Sequence, residues 1–272
     1  MALREADSEL DAIYNFYLDF NERLDRYGRP RKKEYEDYYD GLPHGNFRWE
    51  MFSHFLIDFY NKNGFPEVVN AEDYNDMLSN ILVFRGERTF KYAGELIDSP
   101  TYHYGTGSYG VGIYTTDDLR RAQLFSSGLN GDLSYVIEMA LSNDAKILKY
   151  EDNILLKNYL KEKTNKSIFK KKSSKIDEEF QTLKLMPEAL EKLNLLIDFL
   201  REKKDKKFTE KFIDDKSNNL AIYLGYDAIE RRESSFCMDY IVFNRGMLMI
   251  SESEKDRLLE VCQNEDDDEL CR

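Results

Sequence analysis

The stretch from Gly105 to Ser126, GTGSYGVGIYTTDDLRRAQLFS, constrains the fold of this chain more than any other segment. It has too many glycines for an ordinary helix, and its aromatic and β-branched residues are typical of a strand. The order of residue types predicts a glycine loop, a short strand that carries Tyr114, and a helix that begins at Asp117 or Asp118 and delivers Phe125. Two aromatic side chains beside flexible main chain suit a flat ring. The same pattern also suits plain structure, because the usual dinucleotide fingerprint has its glycines after a strand.

Length and charge limit the classes of protein that this chain can belong to. Its 272 residues suffice for one large domain with a sizeable core. The formal net charge of −13 argues against general binding to nucleic acids or anionic membranes, although residues 157–216 carry 17 Lys+Arg against 12 Asp+Glu. The three cysteines have no metal-ligand spacing. Because the start has no signal-like apolar segment and no apolar run reaches 18 residues, we expect a cytoplasmic protein without a membrane partner.

Apolar periodicity divides the chain into regions. Three- and four-residue spacing predicts helices over residues 8–27, 47–63 and 71–79, which we interpret as an N-terminal helical lobe over residues 1–80. Residues 150–218 are predicted to form a Lys-rich, mostly helical insert, and residues 251–272 an acidic C-terminal tail. The run Lys170–Lys172 suits either a solvated loop or docking on nucleic acid or an acidic partner.

Three apolar segments predict strands with polar residues of interest. Ile81–Gly86, ILVFRG, is a continuous apolar run that ends in an arginine, whose fork of donors suits a phosphate or a surface ion pair. In Leu133–Leu141, apolar and polar residues alternate, so Glu138 is predicted to point away from its apolar neighbours. Tyr240–Phe243 is a strand, and Asp239 is predicted to lie where that strand starts, facing a cleft and contributing little to the core.

Four short segments occur in an order that matches a known family. They are Phe84–Gly86 (FRG), Gly110–Tyr114 (GVGIY), Leu224–Ile229 (LGYDAI) and Asp239–Asn244 (DYIVFN). They resemble, respectively, the first core strand ending in Arg-Gly or His-Gly, the Gly-x-Gly-x-Tyr segment, the Gly-Tyr-Asp-Gly-Ile strand and the late strand with the catalytic glutamate of the ADP-ribosyltransferase superfamily. That superfamily includes bacterial toxins and the poly-ADP-ribose polymerases.

The resemblance covers about residues 81–148 and 219–250. It implies an α+β fold in which residues 81–250 form a split, mostly antiparallel sheet that cradles NAD+, with the N-terminal helical lobe before it and the helical insert within it. It also implies transfer of one ADP-ribose unit from NAD+ to a macromolecule, without a metal. Cleavage of the nicotinamide–ribose bond builds positive charge on the sugar, which a carboxylate stabilises.

The same resemblance implies a role for each matched residue. Arg85 would hold the phosphate or ribose side of NAD+, and Gly86 would clamp the nicotinamide carboxamide through its main chain. Tyr114 and Phe125 would stack on the nicotinamide ring, while Asp239 would accept a hydrogen bond from a ribose hydroxyl. The implied catalytic residues are therefore Arg85, Tyr114 and Asp239, and the implied cofactor-binding residues are Arg85, Gly86, Gly112, Tyr114, Thr115 and Phe125. Thr115 and Thr116 would support the ribose or the strand.

Departures from the family pattern leave alternatives open. Asp239 is one methylene shorter than the usual glutamate, and Glu233 and Glu138 are the alternative acids. Arg85 stands where polymerases have histidine, which favours mono-transfer. Cys237 stands where arginine-modifying members carry Glu or Gln, which argues against an arginine acceptor. The acceptor can be a protein side chain or a nucleic-acid base. The other functions that fit are an NAD+ glycohydrolase and a degenerate module that binds NAD+ or a partner.

The resemblance also implies a biological setting. Many members are bacterial or phage toxins or effectors, and a toxin of this kind often needs a neutralising antitoxin or immunity protein. We expect such a partner to dock on residues 1–80 or on the acidic tail.

Overall fold

A computed structural model gives an α+β protein, as the sequence predicts. The described residues are 2–23, 50–87, 94–97, 99, 106–107, 109–126, 136–164, 173–214 and 217–260. The chain forms two compact units. The first unit comprises Met1–Leu56, Thr106–Val111 and Leu148–Tyr226, and the second comprises Ile57–Gly105, Gly112–Ile147 and Asp227–Arg272.

The bounds of the regular elements are as follows. The helices are α1 (Ala2–Arg23), α2 (Glu50–Phe59), α3 (Tyr74–Leu78), α4 (Leu119–Ser126), α5 (Tyr150–Thr164), α6 (Ser173–Gln181), α7 (Pro187–Lys203), α8 (Lys206–Ile213), α9 (Asn219–Tyr223) and α10 (252–260). The strands are β1 (Glu67–Val69), β2 (Ile81–Gly86), β3 (Thr106–Gly107), β4 (Gly110–Val111), β5 (Ile113–Thr116), β6 (Val136–Leu141), β7 (Ile147–Lys149), β8 (Ala228–Ser234), β9 (Cys237–Val242) and β10 (Leu248–Ser251).

The first unit is mainly helical, and aromatic rings fill its core. The ring centroids of Tyr14 and Phe208 lie 4.8 Å apart, and those of Phe52 and Phe212 lie 5.7 Å apart in edge-to-face contact. The N-terminal helix α1 therefore packs with helices of the Lys-rich insert. The apolar stripe predicted for this helix is buried at Leu10, Ile13, Tyr17 and Phe20.

The second unit is built on a mixed sheet, in which seven strands follow the order β1-β10-β6-β2-β5-β9-β8. The central ladders are antiparallel, whereas β1 runs parallel to β10. Strand β2 has the predicted bounds, and α4 begins after Asp118, whose Oδ1 accepts from the main-chain N–H of Arg120 at 2.8 Å. The prediction of a cap at this helix is confirmed.

Several predicted boundaries differ from the observed ones. Strand β1 lies inside the region predicted to be a helical lobe, and the division at residue 80 does not coincide with the division between the units. Insert residues 150–218 share their unit with residues 1–56. The acidic tail begins with helix α10, while residues 261–272 and the run Lys170–Lys172 lie outside the described residues.

A buried ion pair stands where the chain enters β8. The Oδ1 atom of Asp227 accepts from Lys62 Nζ at 2.6 Å and from Asn244 Nδ2 at 2.7 Å. The Oδ2 atom accepts from the main-chain N–H of Lys146 at 2.9 Å. This aspartate of the LGYDAI segment therefore joins four chain segments of the second unit.

Candidate functional site

One row of residues crosses five strands of the sheet in the second unit. Glu138 lies opposite Phe84, Phe84 opposite Thr116, Thr116 opposite Asp239, and Asp239 opposite Arg231. Residues directly opposite one another in neighbouring antiparallel strands point to the same face of the sheet. Asp239 therefore shares a face with residues from β6, β2, β5 and β8. We call this the row face.

Helix α4 lies close against the row face, and a glycine makes this approach possible. A Cβ atom on Gly86 would stand 2.0 Å from the main-chain oxygen of Ala122 and 2.7 Å from the nitrogen of Ser126. Gly112 is also constrained, because its Cβ would stand 2.4 Å from the side-chain atom Cγ2 of Ile241 and 3.2 Å from the main-chain oxygen of Val242. Both glycines that the resemblance assigns to NAD+ binding are therefore required for packing as well.

Arg85 connects β2 to β5 at the end of β2. Its Nε donates to Glu87 Oε1, and its Nη1 donates to the main-chain oxygen of Tyr114 at 3.3 Å. The register between β2 and β5 is the single pair formed by Phe84 and Thr116. Beyond this pair, the guanidinium of Arg85 joins the two strands.

The predicted site residues fall on both faces of the sheet. Tyr114 lies opposite Ile241 and alternates with Thr116, so it is on the row face with Asp239. Thr115 is buried on the other face, where its Oγ1 donates to the main-chain oxygen of Tyr240 at 3.4 Å. Arg85 follows Phe84 in β2 and so leaves the sheet on that other face, from which its guanidinium reaches the Tyr114 carbonyl.

Asp239 forms a two-pronged ion pair with Arg121 of α4. Arg121 Nε donates to Oδ1 of Asp239 and Nη2 donates to Oδ2, both at 2.7 Å. A parallel pair of charge-assisted bonds is the strong geometry for this pair of groups. The hydrogen bond with Asp239 is the main reason that the pKa of Arg121 is raised above its ordinary value. Both oxygens of the candidate catalytic carboxylate are thus engaged.

This arrangement corrects the predicted environment of Asp239. The residue is the third of β9 rather than the start of a strand, because Cys237 and Met238 already pair with β8. Asp239 is buried, at 8% exposed, and its carboxylate meets a cation of the same unit. No sequence pattern indicates a role for Arg121, since its partner lies 118 residues away.

A second carboxylate stands beside Arg121. Glu233 Oε1 lies 3.7 Å from Arg121 Nη2, and Glu233 Oε2 accepts from Arg231 Nη1. The ring centroid of Phe125 lies 5.4 Å from Arg121 Cζ. Phe125 is 55% exposed, so the predicted second aromatic is available at the surface of α4.

Cys237 and Thr116 fix the beginning of β9. The Sγ atom of Cys237 lies 3.3 Å from Oγ1 of Thr116, and this hydroxyl also donates to the main-chain oxygen of Met238 at 3.2 Å. Burial raises the pKa of the Cys237 thiol. These contacts join Thr116 of β5 to the first two residues of β9.

The alternative acid Glu138 belongs to another part of the row face. Its Oε1 accepts from the Tyr74 hydroxyl at 2.8 Å, and this hydrogen bond is the main reason that the pKa of Tyr74 is raised. The strands β2 and β5 lie between Glu138 and Asp239. The two carboxylates are therefore not a catalytic pair. Glu233, in contrast, is next to the Asp239–Arg121 pair.

The site offers a guanidinium, an aromatic ring and carboxylates. Among the described residues, no group of three His, Cys, Asp or Glu side chains could hold a metal ion. Within the same described part of the chain, no helix has the length and apolar character needed to cross a membrane.

Comparisons with protein-family models, curated proteins and solved structures found no match to this chain.

Proposed function

We propose that this chain transfers a single ADP-ribose unit from NAD+ to a macromolecular acceptor. The observation that carries the proposal is the adjacency of three segments that are distant in the sequence. The FRG, GVGIY and DYIVFN segments contribute the neighbouring strands β2, β5 and β9. Within them, Arg85 contacts the main chain of Tyr114, and Asp239 lies two residue pairs along β5, opposite Thr116.

The residues of the site suit the parts of NAD+. Arg85 leaves the sheet on the face opposite to Tyr114 and Asp239, so its planar fork suits a phosphate group that passes the end of β2 rather than a ring on the row face. Tyr114 is half-buried on the row face and offers a ring to the nicotinamide. Asp239 on the same face supplies the negative charge that stabilises an oxocarbenium-like sugar.

The reaction breaks one bond and forms another at the same carbon. The electrons of the nicotinamide–ribose bond leave with neutral nicotinamide, and the acceptor attacks the anomeric carbon. The acceptor's proton passes to water or to a nearby carboxylate. Asp239 acts by electrostatic stabilisation, which requires that its oxygens face the sugar instead of Arg121.

A binding module without chemistry is the second candidate function. The observation that favours it is the ion pair between Asp239 and Arg121, which occupies both carboxylate oxygens. In such a module Arg85 and Tyr114 would hold the ligand, and substitution of Asp239 would leave ligand affinity unchanged.

The proposed setting extends the resemblance. We place the protein in the cytoplasm as a bacterial or phage toxin or effector, controlled by a neutralising partner. The acceptor is a protein side chain or a nucleic-acid base. The Lys-rich helices of the first unit are compatible with a nucleic-acid acceptor.

One labelling experiment tests the proposed function. Purified protein is incubated with NAD+ labelled in the adenylate and with a whole bacterial lysate, which is then separated into protein and nucleic-acid fractions. We expect label in one fraction, and we expect Asp239→Asn to abolish it. Arg120→Gln is the matched control, because Arg120 is exposed on α4 and lies outside the ion pair.

Other outcomes of the labelling experiment would indicate a different function. Free ADP-ribose and nicotinamide without a labelled acceptor would indicate an NAD+ glycohydrolase. Intact NAD+ that nevertheless binds equally to the wild type and to Asp239→Asn would establish the binding module. Intact NAD+ without binding would refute both.

A further inference from the structure

The ion pair between Asp239 and Arg121 conflicts with direct chemistry by Asp239. A carboxylate that accepts two bonds from a guanidinium, both at 2.7 Å, is neutralised and has no oxygen directed at a ligand. A residue that is to stabilise a cation must first exchange this partner. The structure contains a group that can receive Arg121.

Glu233 is that group. Its Oε1 lies 3.7 Å from the same Nη2 atom that bonds to Asp239 at 2.7 Å. The side chains of Glu233 and Arg121 are 32% and 25% exposed, whereas that of Asp239 is 11% exposed. Arg121 can therefore change partners by a small rotation at the surface, without entering the core.

The charges around the pair balance in both arrangements. Arg231 lies opposite Asp239 in the ladder and bonds to Glu233, so two cations and two carboxylates form one cluster. When Arg121 turns to Glu233, the cluster keeps its net charge. Asp239 then loses its direct partner and regains oxygens that can face a ribose. Solvent screens the outer pair, so it does not replace the bonds that Asp239 loses, and the binding of NAD+ to Asp239 has to offset that loss.

We propose that Arg121 is a positioning residue that holds Asp239 in a resting ion pair and turns to Glu233 when NAD+ enters the site. This inference rests on the proposed function for the identity of the ligand. The resting pair itself is a property of the folded chain. Arg121 thus competes with the ligand for Asp239, and Glu233 is the residue that lowers the barrier to its displacement.

The resting pair can be tested without NAD+. Folded protein is treated with a water-soluble carbodiimide and taurine, and mass spectrometry measures the amidation rate of Asp239. We expect Arg121→Gln to raise that rate at least about fivefold, the factor that corresponds to an ion pair near the surface. Arg121→Lys keeps the charge but lacks the planar fork, so the amidation rate of Asp239 in this variant should lie between those of the wild type and Arg121→Gln. Arg120→Gln should behave as the wild type.

Steady-state NAD+ cleavage tests the exchange of partners. Removal of the competing guanidinium in Arg121→Gln should lower the KM for NAD+ about fivefold and leave kcat within about twofold. Added ethylguanidinium should restore the higher KM. Glu233→Gln should raise the KM, because Arg121 then lacks a second carboxylate. A purely structural role for Arg121 would lower kcat in both variants and would give no response to ethylguanidinium.

The outcomes separate this inference from the proposed function. Equal amidation of Asp239 in the wild type, Arg121→Gln and Arg121→Lys would overturn the resting pair, whatever NAD+ does. Faster amidation with an unchanged or higher KM in Arg121→Gln would overturn the competition. Faster amidation without NAD+ cleavage in any variant would refute the transferase and the exchange that NAD+ is proposed to drive, but would leave the resting pair supported.

Discussion

Lys62 Nζ lies 2.6 Å from Asp227 Oδ1, in an ion pair whose two side chains are less than a tenth exposed. The partners are 165 residues apart in the chain. Asn244 and the main chain of Lys146 complete the hydrogen bonds of the carboxylate. The aspartate of the LGYDAI segment, which the family pattern presents as a motif residue, therefore organises the second unit.

We expect Asp227→Asn to destabilise the protein strongly. The substitution leaves the buried ammonium of Lys62 without its carboxylate, which costs about 3–5 kcal/mol of unfolding free energy. Urea unfolding followed by circular dichroism measures this loss. The double variant Lys62→Met with Asp227→Leu removes both charges and should recover part of it. A cost below about 1 kcal/mol for Asp227→Asn alone would contradict the structural role.

Gly86→Ala should destabilise the protein far more than the small size of the added methyl group suggests. The added Cβ would stand 2.0 Å from the Ala122 carbonyl oxygen, so α4 must move away from β2. We expect a loss of at least about 2 kcal/mol in unfolding free energy and loss of NAD+ binding. Gly246→Ala is the matched control, because its nearest neighbour would stand at an ordinary 3.4 Å. Equal stability of the two variants would rule out the close approach of α4.

Asp239→Asn should affect stability as well as turnover. The sequence predicted little contribution to the core, but the structure shows a buried carboxylate bound to Arg121. We expect the variant to lose about 1–3 kcal/mol, because the amide replaces one acceptor of the Arg121 guanidinium by a donor and removes the negative charge. The double variant with Arg121→Gln should be less destabilised than the sum of the single effects. Additive effects in this double-mutant cycle would show that the two residues are not coupled.

Arg85 and Glu87 are neighbours whose substitutions should have different effects. Arg85→Lys removes the planar fork that reaches the Tyr114 carbonyl, so we expect at least about a tenfold loss of NAD+ affinity. Glu87→Gln keeps a hydrogen-bond acceptor for Arg85 Nε and should change affinity by less than about threefold. Isothermal titration of both variants with NAD+ measures the difference. Similar affinities would exclude Arg85 from the ligand site.

Stability should fall at alkaline pH because buried thiol and phenol groups resist ionisation. Burial raises the pKa of Cys237, and it raises the pKa of Tyr240 to about 12. Below the usual pKa values of about 8.5 and 10, both groups are protonated in the folded and unfolded states. Their full contribution to the free energy of unfolding is then present. Above those values the unfolded chain loses protons first, so the free energy of unfolding falls until pH reaches the folded pKa values.

Urea titrations between pH 7 and pH 11 test this expectation. Cys237→Ala removes the thiol, so its stability should decline less steeply above about pH 8.5 than that of the wild type. Parallel curves for the two proteins would show that Cys237 ionises as readily in the folded state as in the unfolded chain.

Local sequence patterns predicted the parts of the site that local forces determine. The continuous apolar run gave β2 its observed bounds, and Asp118 caps α4 as expected. The order of the motifs anticipated that β2, β5 and β9 belong to one sheet, although no sequence rule fixed Phe84 opposite Thr116.

These local patterns could not predict contacts between residues that are distant in the chain. Arg121 reads as one more polar residue on an exposed helix, and only the fold brings it to Asp239. Strand β1 has three residues and too short a pattern to be distinguished from a loop. Helix α1 packs with the Lys-rich helices through aromatic contacts such as that of Tyr14 with Phe208. Apolar periodicity within one helix does not reveal which helix it packs against.

The chain order of the second unit has a consequence during synthesis. Residues 148–226, which belong to the first unit, separate β6 from β8 and β9. A ribosome therefore completes β2 and β5 long before it adds the strand that carries Asp239. A nascent chain holds the guanidinium and the aromatic ring of the site without the carboxylate opposite Thr116. If Asp239 has the proposed catalytic role, the growing polypeptide cannot catalyse the transfer until its last strands are translated.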